Sequence, residues 1–256
     1  MSLQLLDPAQ KVQELVEFLH QTYHQQGKTH AVIAVSGGID SALALSLLVQ
    51  SLPKSSVTAL LLPYGEQSTE DGKLICDFHK LSEQQVRIIN IAPIVDATAA
   101  QLELDDSQKV RKGNLMARAR MMVVYDVAKS LDALVCGTEN KSEHYLGYFT
   151  RFGDAASDVE PISTLYKTQV RQLAEYLKLP ERFLTKAPSA GLWSGQTDEA
   201  EMGFSYADAD QVLEQLLDEG KDVEKIMISG VSPTTVKAIA DQVLSTNFKR
   251  TVPHSL

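Results

Sequence analysis

Ala34-Val35-Ser36-Gly37-Gly38-Ile39-Asp40-Ser41-Ala42 decides how the rest of the chain is read. It joins a short apolar run, residues 31–35, to a long helical pattern at 43–52. A strand that breaks into Ser-Gly-Gly and resumes as a helix leaves unpaired N–H groups at the positive end of a helix dipole, a place for an anion, most often phosphate. The glycines let the backbone approach the ligand, Ser36 and Ser41 add hydroxyl donors, and Asp40 adds a carboxylate able to hold a magnesium ion. No lysine follows, which excludes a Walker A loop. A Gly-rich tight turn is the bland alternative, but strand, loop, hydroxyls, acid and helix all align.

Outward from this loop the chain alternates apolar runs and helical patterns. Asp7-Pro8 is a helix start, and Val12, Leu15, Val16, Leu19 and Tyr23 follow at helical spacing. The helix after the loop is apolar on nearly every side, as expected when it is buried between a sheet and a second layer or subunit. Further strands are predicted at 57–62, 86–91 and 133–136, with a helix at 68–81 started by a Ser68/Asp71 capping box and a long helix running through 113–129. Strands spaced by helices of this length make a parallel, doubly wound sheet of α/β class, with ligands beyond the carboxyl ends of the strands. Residues 148–158 form a dense loop without periodicity, 185–199 are irregular and carry Trp193, and helices are predicted at 166–177, 206–217, 223–228 and 233–244.

Composition narrows the function. The 256 residues suit one large α/β domain, spanning 1–256, and the net charge of −9 argues against a nucleic-acid partner bound by bulk positive field. Cys76 and Cys136 lie in apolar patterns without metal spacing and read as buried free thiols in a reducing compartment. No signal peptide and no membrane-length apolar run is present, so a cytoplasmic protein with no membrane partner is expected.

SGGIDSA resembles the pyrophosphate-binding SGGxDS loop of the ATP pyrophosphatases that adenylate a substrate. GNLMARAR (113–120), GTENKSE (137–143), TRFGDAASD (150–158), PISTLYKTQVR (161–171), KAPSAGLWSGQTDE (186–199) and FKRTVP (248–253) resemble, in order, the signatures of ammonia-dependent NAD synthetase. The resemblance spans nearly the whole chain. It implies an adenine nucleotide alpha hydrolase-like (Rossmann-like) fold with a helical C-terminal part. It also implies a ligase that joins ammonia to deamido-NAD through an acyl adenylate, giving NAD, AMP and pyrophosphate.

By the same resemblance, Ala34, Val35, Ser36, Gly37, Gly38, Ile39, Asp40 and Ser41 hold ATP together with Thr138, Lys167 and Ser189. Asp40 and Glu143 ligate Mg2+, and with Lys167 they form the catalytic set. Arg120, Arg151, Asp158, Phe248 and Lys249 contact deamido-NAD, with Asn114, Arg118, Tyr125 and Asp154 as further candidates in the same motifs. The family works as a homodimer, with deamido-NAD at the subunit interface. Two departures stand out: Phe248 occupies a position where the family commonly has histidine, and Leu61 one where it often has arginine. No length remains for a glutamine-hydrolysing domain, so free ammonia, or ammonia from another protein, is the expected donor. Another adenylating ligase of the loop family and a non-catalytic adenine-nucleotide sensor are the competing readings, the latter disfavoured by Asp40, Glu143 and Lys167 occurring together.

Overall fold

The computed structural model describes residues 6–105, 107–189, 191 and 195–253. Helix α1 (Pro8–Gln25) starts as its sequence dictates: the Asp7 carboxylate accepts from the N–H groups of Ala9 and Gln10, and Pro8 fills the first position, where no donor is needed. Strand β1 (His30–Ala34) then runs into the Ser-Gly-Gly loop and α2 (Ile39–Ser51). There follow β2 (Val57–Leu61), α3 (Glu70–Phe78), β3 (Val86–Ile88), α4 (Ala92–Gln101), α5 (Lys109–Ser130), β4 (Ala133–Cys136) and α6 (Lys141–Leu146). The C-terminal part is helical: α7 (Lys167–Tyr176), α8 (Glu181–Thr185), α9 (Asp198–Met202), α10 (Tyr206–Leu213) and α11 (Pro233–Ser245).

Among the described residues the sheet has four parallel strands in the order β3-β2-β1-β4. The chain steps outward from β1 to β3 and then returns through α4 and α5 to lay β4 on the far side of β1, pairing His30 with Ala133. The direction of winding therefore reverses between β1 and β4. In sheets of this kind ligands bind beyond the carboxyl ends of the strands at such a switch point. Both faces are covered. Ala31, Ile33, Ala59 and Leu61 point into the layer of α1, α2 and α7, while Val32, Leu60 and Val135 point into the layer of α4 and α5. A third apolar cluster joins α6 to α10 and α11 through Leu146, Tyr206, Val212 and Ile239.

Several elements differ from their predicted forms. The apolarity of α2 is accounted for inside the chain, since α1, α7 and α8 pack on the sides that the sheet leaves free. No second subunit is needed to explain it. The predicted capping box of α3 does not form: the Ser68 hydroxyl accepts from Glu70 N–H, but Asp71 is drawn to Lys186 and Arg182 from a distant segment. That helix ends at Phe78, three residues short of the prediction. The 86–91 run yields only the short β3, and 223–228 a single 3-10 turn at Val223–Lys225. Gly113, at a stretch that either begins or interrupts the long helix, sits inside α5. Cys76 and Cys136 are free and buried, as expected.

Candidate active site

At the β1–α2 junction Gly37 adopts φ +79°, and a Cβ there would lie 2.7 Å from the Cβ of Asp71, so the turn requires glycine twice over. Gly38 caps α2 with extended backbone and no side-chain cap, leaving the first N–H groups of the helix without a capping side chain. The Ser36 hydroxyl accepts from Gly38 N–H at 3.3 Å and lies 3.2 Å from the Ser41 hydroxyl, which donates to the Gly38 carbonyl. Lys186 Nζ donates to the Gly37 carbonyl (3.1 Å) and to Asp71 (2.7 Å), fastening the outer side of the turn. The result is a glycine turn at a helix start, with two hydroxyls beside it and a lysine bonded to it.

Three helix starts bring charge together at this loop. Asp40 is in the first turn of α2, Glu143 in the first turn of α6, and Lys167 is the first residue of α7. Lys167 Nζ donates to Asp40 Oδ2 at 2.6 Å and to Glu143 Oε1 at 2.8 Å, and all three side chains are largely buried. Asn140 caps α6 through its Oδ1, while its Nδ2 donates to Asp40 Oδ1 at 2.8 Å. Burial alone would lower the Lys167 ammonium, but the two carboxylates more than offset it and hold it above the usual lysine range. Burial pushes Glu143 up, with Lys167 pulling the other way and the charges of Asp40 and Asp198 adding to the rise. One lysine nitrogen thus donates to two acidic side chains at once.

The sequence matches the NAD synthase family over residues 11–253. The chain belongs to that family. An NH(3)-dependent NAD(+) synthetase of Fusobacterium nucleatum is 42% identical, covering 94% of this chain and 92% of its own. Among solved structures, an NMN synthetase from Francisella tularensis is 36% identical with a TM-score of 0.84, covering 98% of this chain and 99% of its own. An NH3-dependent NAD synthetase from Campylobacter jejuni, in complex with the nitrate ion, is 30% identical with a TM-score of 0.82 over the same shares.

The other residues singled out by likeness to the NAD synthase family fall in separate groups. Thr138 follows β4, half-buried, beside Gly137, whose N–H donates to Val159 O. Arg120, on α5, donates from Nε to Leu62 O and from one terminal nitrogen to Gln67 Oε1, both at 3.0 Å. Its guanidinium is thereby fixed at the end of β2. Asp158 spends one oxygen on Val135 N–H at 2.8 Å, a bond that secures β4. Arg151, Phe248 and Lys249 gather at the 147–151 turn: the Arg151 guanidinium stacks 5.1 Å from the Phe248 ring centre, and Lys249 Nζ donates to Gly147 O and to Phe149 O. Asn114 accepts from the Thr150 hydroxyl and Asp154 from Thr150 N–H, while Arg118 Nε donates to Arg151 O. Tyr125 is half-buried on α5. Ser189 is exposed, its hydroxyl accepting from Gly191 N–H, and Trp193 lies outside the described residues.

Sequence reasoning missed Asn140, Lys186, Asp198 and Asp210 as neighbours of this cluster. Asn140, Lys186 and Asp198 stand inside quoted motifs, and only their partners were invisible. Asp198 is buried, accepts from the Tyr206 hydroxyl, and ties its N–H to Pro188 O. Asp210 carried no signal beyond lying in a helix.

The donor set fits magnesium. Asp40 and Glu143 offer hard carboxylate oxygens that converge on one ammonium, and no cluster of three or more His, Cys, Asp or Glu able to hold a metal occurs among the described residues. Two carboxylates with the remaining positions left to water and phosphate suit an ion that keeps part of its hydration.

Proposed function

We propose that this chain is an ammonia-dependent NAD synthetase. It consumes ATP to amidate the nicotinic-acid carboxylate of deamido-NAD, releasing AMP and pyrophosphate. The observation that carries the reading is the Asp40–Lys167–Glu143 cluster under a glycine phosphate loop, in a chain of the NAD synthase family. A carboxylate is a poor acceptor for ammonia, because its carbon is electron-rich and oxide is a poor leaving group. Transfer of AMP to it corrects both defects.

In this reading residues 34–41 cradle the part of ATP that leaves as pyrophosphate, against the α2 N-terminus. Lys167 presents a fixed positive charge to the phosphates as negative charge builds on the leaving group. Asp40 and Glu143 hold Mg2+, which when bound neutralises phosphate charge. Thr138 and Ser189 complete the ATP site. Arg120, Arg151, Asp158, Phe248 and Lys249 orient deamido-NAD. Lys249 must then exchange its carbonyl partners for substrate, so the tail contacts at 147–151 rearrange on binding.

The 1–256 chain acts in this reading as one catalytic domain of a cytoplasmic enzyme. Its homodimer is assigned to exposed apolar positions on and just after α4 and on α5, Ile94, Leu102, Val110 and Met122. No helix among the described residues is long and apolar enough to cross a membrane. The test is mass-spectrometric detection of NAD and AMP from deamido-NAD, ATP and ammonium, run beside nicotinate mononucleotide because one structural neighbour is named an NMN synthetase. Deamido-NAD is expected to be the better acceptor. Turnover of the mononucleotide alone would reassign the substrate, and turnover of neither would overturn the reading.

A further inference from the structure

The helical C-terminal part does more than cover the sheet. Asp210, on α10, is fully buried and reaches two helices at once. Its Oδ2 accepts from both the N–H (2.8 Å) and the hydroxyl (2.7 Å) of Thr168, in the first turn of α7. Its Oδ1 accepts from the Ser142 hydroxyl at 2.5 Å, and that same Ser142 oxygen accepts from the N–H of Lys167 at 2.8 Å. The N-cap position of α7 is held by Tyr166 with its Gln169 partner, so Asp210 supplies from another helix the acceptor for the Thr168 N–H and anchors the Ser142 oxygen that accepts from the Lys167 N–H.

The consequence lies in which residues are joined. Ser142 immediately precedes Glu143, and Thr168 immediately follows Lys167. One carboxylate, with one serine hydroxyl, therefore fixes the α6 backbone that carries Glu143 against the α7 backbone that carries Lys167. Four donor–acceptor pairs are satisfied in a buried space. A buried network of this kind has a single low-energy arrangement, because any displacement strands a polar group away from water.

We infer that Asp210, acting through Ser142 and Thr168, is a positioning residue for the proposed reaction: it sets the spacing of Glu143 and Lys167 and so prepares the site that takes magnesium and the ATP phosphates. The inference rests on the proposed function for its chemistry and on the hydrogen bonds alone for its geometry. Outer partners of metal-holding residues typically contribute about 10–100-fold in affinity or activity.

The test uses the full chain with Asp210→Asn, which retains size but offers one acceptor oxygen in place of two, and Ser142→Ala, which leaves the Thr168 arm intact. Three readings are taken on each. The expected result is a cooperative thermal transition in Ser142→Ala, a magnesium activation constant raised about tenfold or more in both variants with a fall in kcat, and faster amide hydrogen exchange at Lys167 in Ser142→Ala and at Thr168 in Asp210→Asn. The double variant should be no worse than the poorer single one, since both break the same bridge. Wild-type kcat, KM and magnesium dependence per folded molecule in Ser142→Ala would overturn the inference, even if Asp210→Asn failed to fold. If the wild-type chain itself formed no NAD, the proposed function would fall instead, and unchanged exchange at Lys167 and Thr168 would remove the positioning role with it.

Discussion

At the scale of single residues, Lys167 is the group on which most depends. It neutralises two buried carboxylates, so its removal leaves like charges facing each other without water. Lys167→Met is expected to lower the unfolding free energy by about 3–5 kcal/mol, the usual result of stripping one partner from a buried ion pair. Magnesium should restore part of that loss, giving a larger rise in the calorimetric midpoint for the variant than for the wild type. NAD formation should fall about 10²-fold or more, the size of effect seen when a fixed charge on a developing anion is deleted. An equal magnesium response in the two proteins would detach the ion from these carboxylates. Glu160 permits a prediction in pH. Its carboxyl packs over Gly137, accepts from Ser157 and from Glu139 N–H, and is pushed up to about 8, first by burial, with the charges of Glu139 and Asp154 contributing. Between the unfolded value of 4.5 and about 8 the folded state keeps a proton that the unfolded state has released, so stability falls as pH rises through that window. The slope is at most about 1.4 kcal/mol per pH unit. Urea midpoints of Glu160→Gln should therefore vary less than those of the wild type from about pH 5 to about pH 8.

At the scale of elements, the packing of the C-terminal segment turns on one glycine. Gly147 ends α6 at φ +66°, and a Cβ there would lie 2.3 Å from the Cβ of Thr246. Arg250 adds hydrogen bonds to Tyr145 O of α6 and Val243 O of α11, so the turn at Asn247–Lys249 is tied to both helices. Gly147→Ala meets both the left-handed backbone and the clash, and should cost about 1–2 kcal/mol while freeing the tail. Faster tryptic cleavage after Lys249 and Arg250, at unchanged far-UV circular dichroism, is the expected signature. The same element explains why Phe248 is tolerated: its ring stacks with the Arg151 guanidinium, an arrangement that an aromatic side chain provides without a titratable nitrogen.

At the scale of the whole molecule, the proposed homodimer no longer draws on α2, which this chain buries by itself. It draws on the outer faces of α4 and α5, so Val110→Glu with Met122→Glu should halve the mass in sedimentation equilibrium while leaving the monomer folded. A wild-type monomer would remove that proposal. The four strands, the main helices between them, the glycine turn after β1, the cap of α1 and the free thiols were legible from the sequence, because each depends on neighbours within a few positions: period two or three and a half, a cap before a run, a glycine where φ must be positive. The motif residues were singled out through their likeness to a family. What only the tertiary structure decided is who meets whom. Asp71 left its helix cap for Lys186, Asp210 bridged two helices from a third, and Lys167 came to lie between Asp40 and Glu143, 127 and 24 residues away. Those meetings follow from the strand order β3-β2-β1-β4 and from the desolvation that makes an unpaired buried charge intolerable. Both are properties of the assembled core, and no local stretch of sequence contains either one.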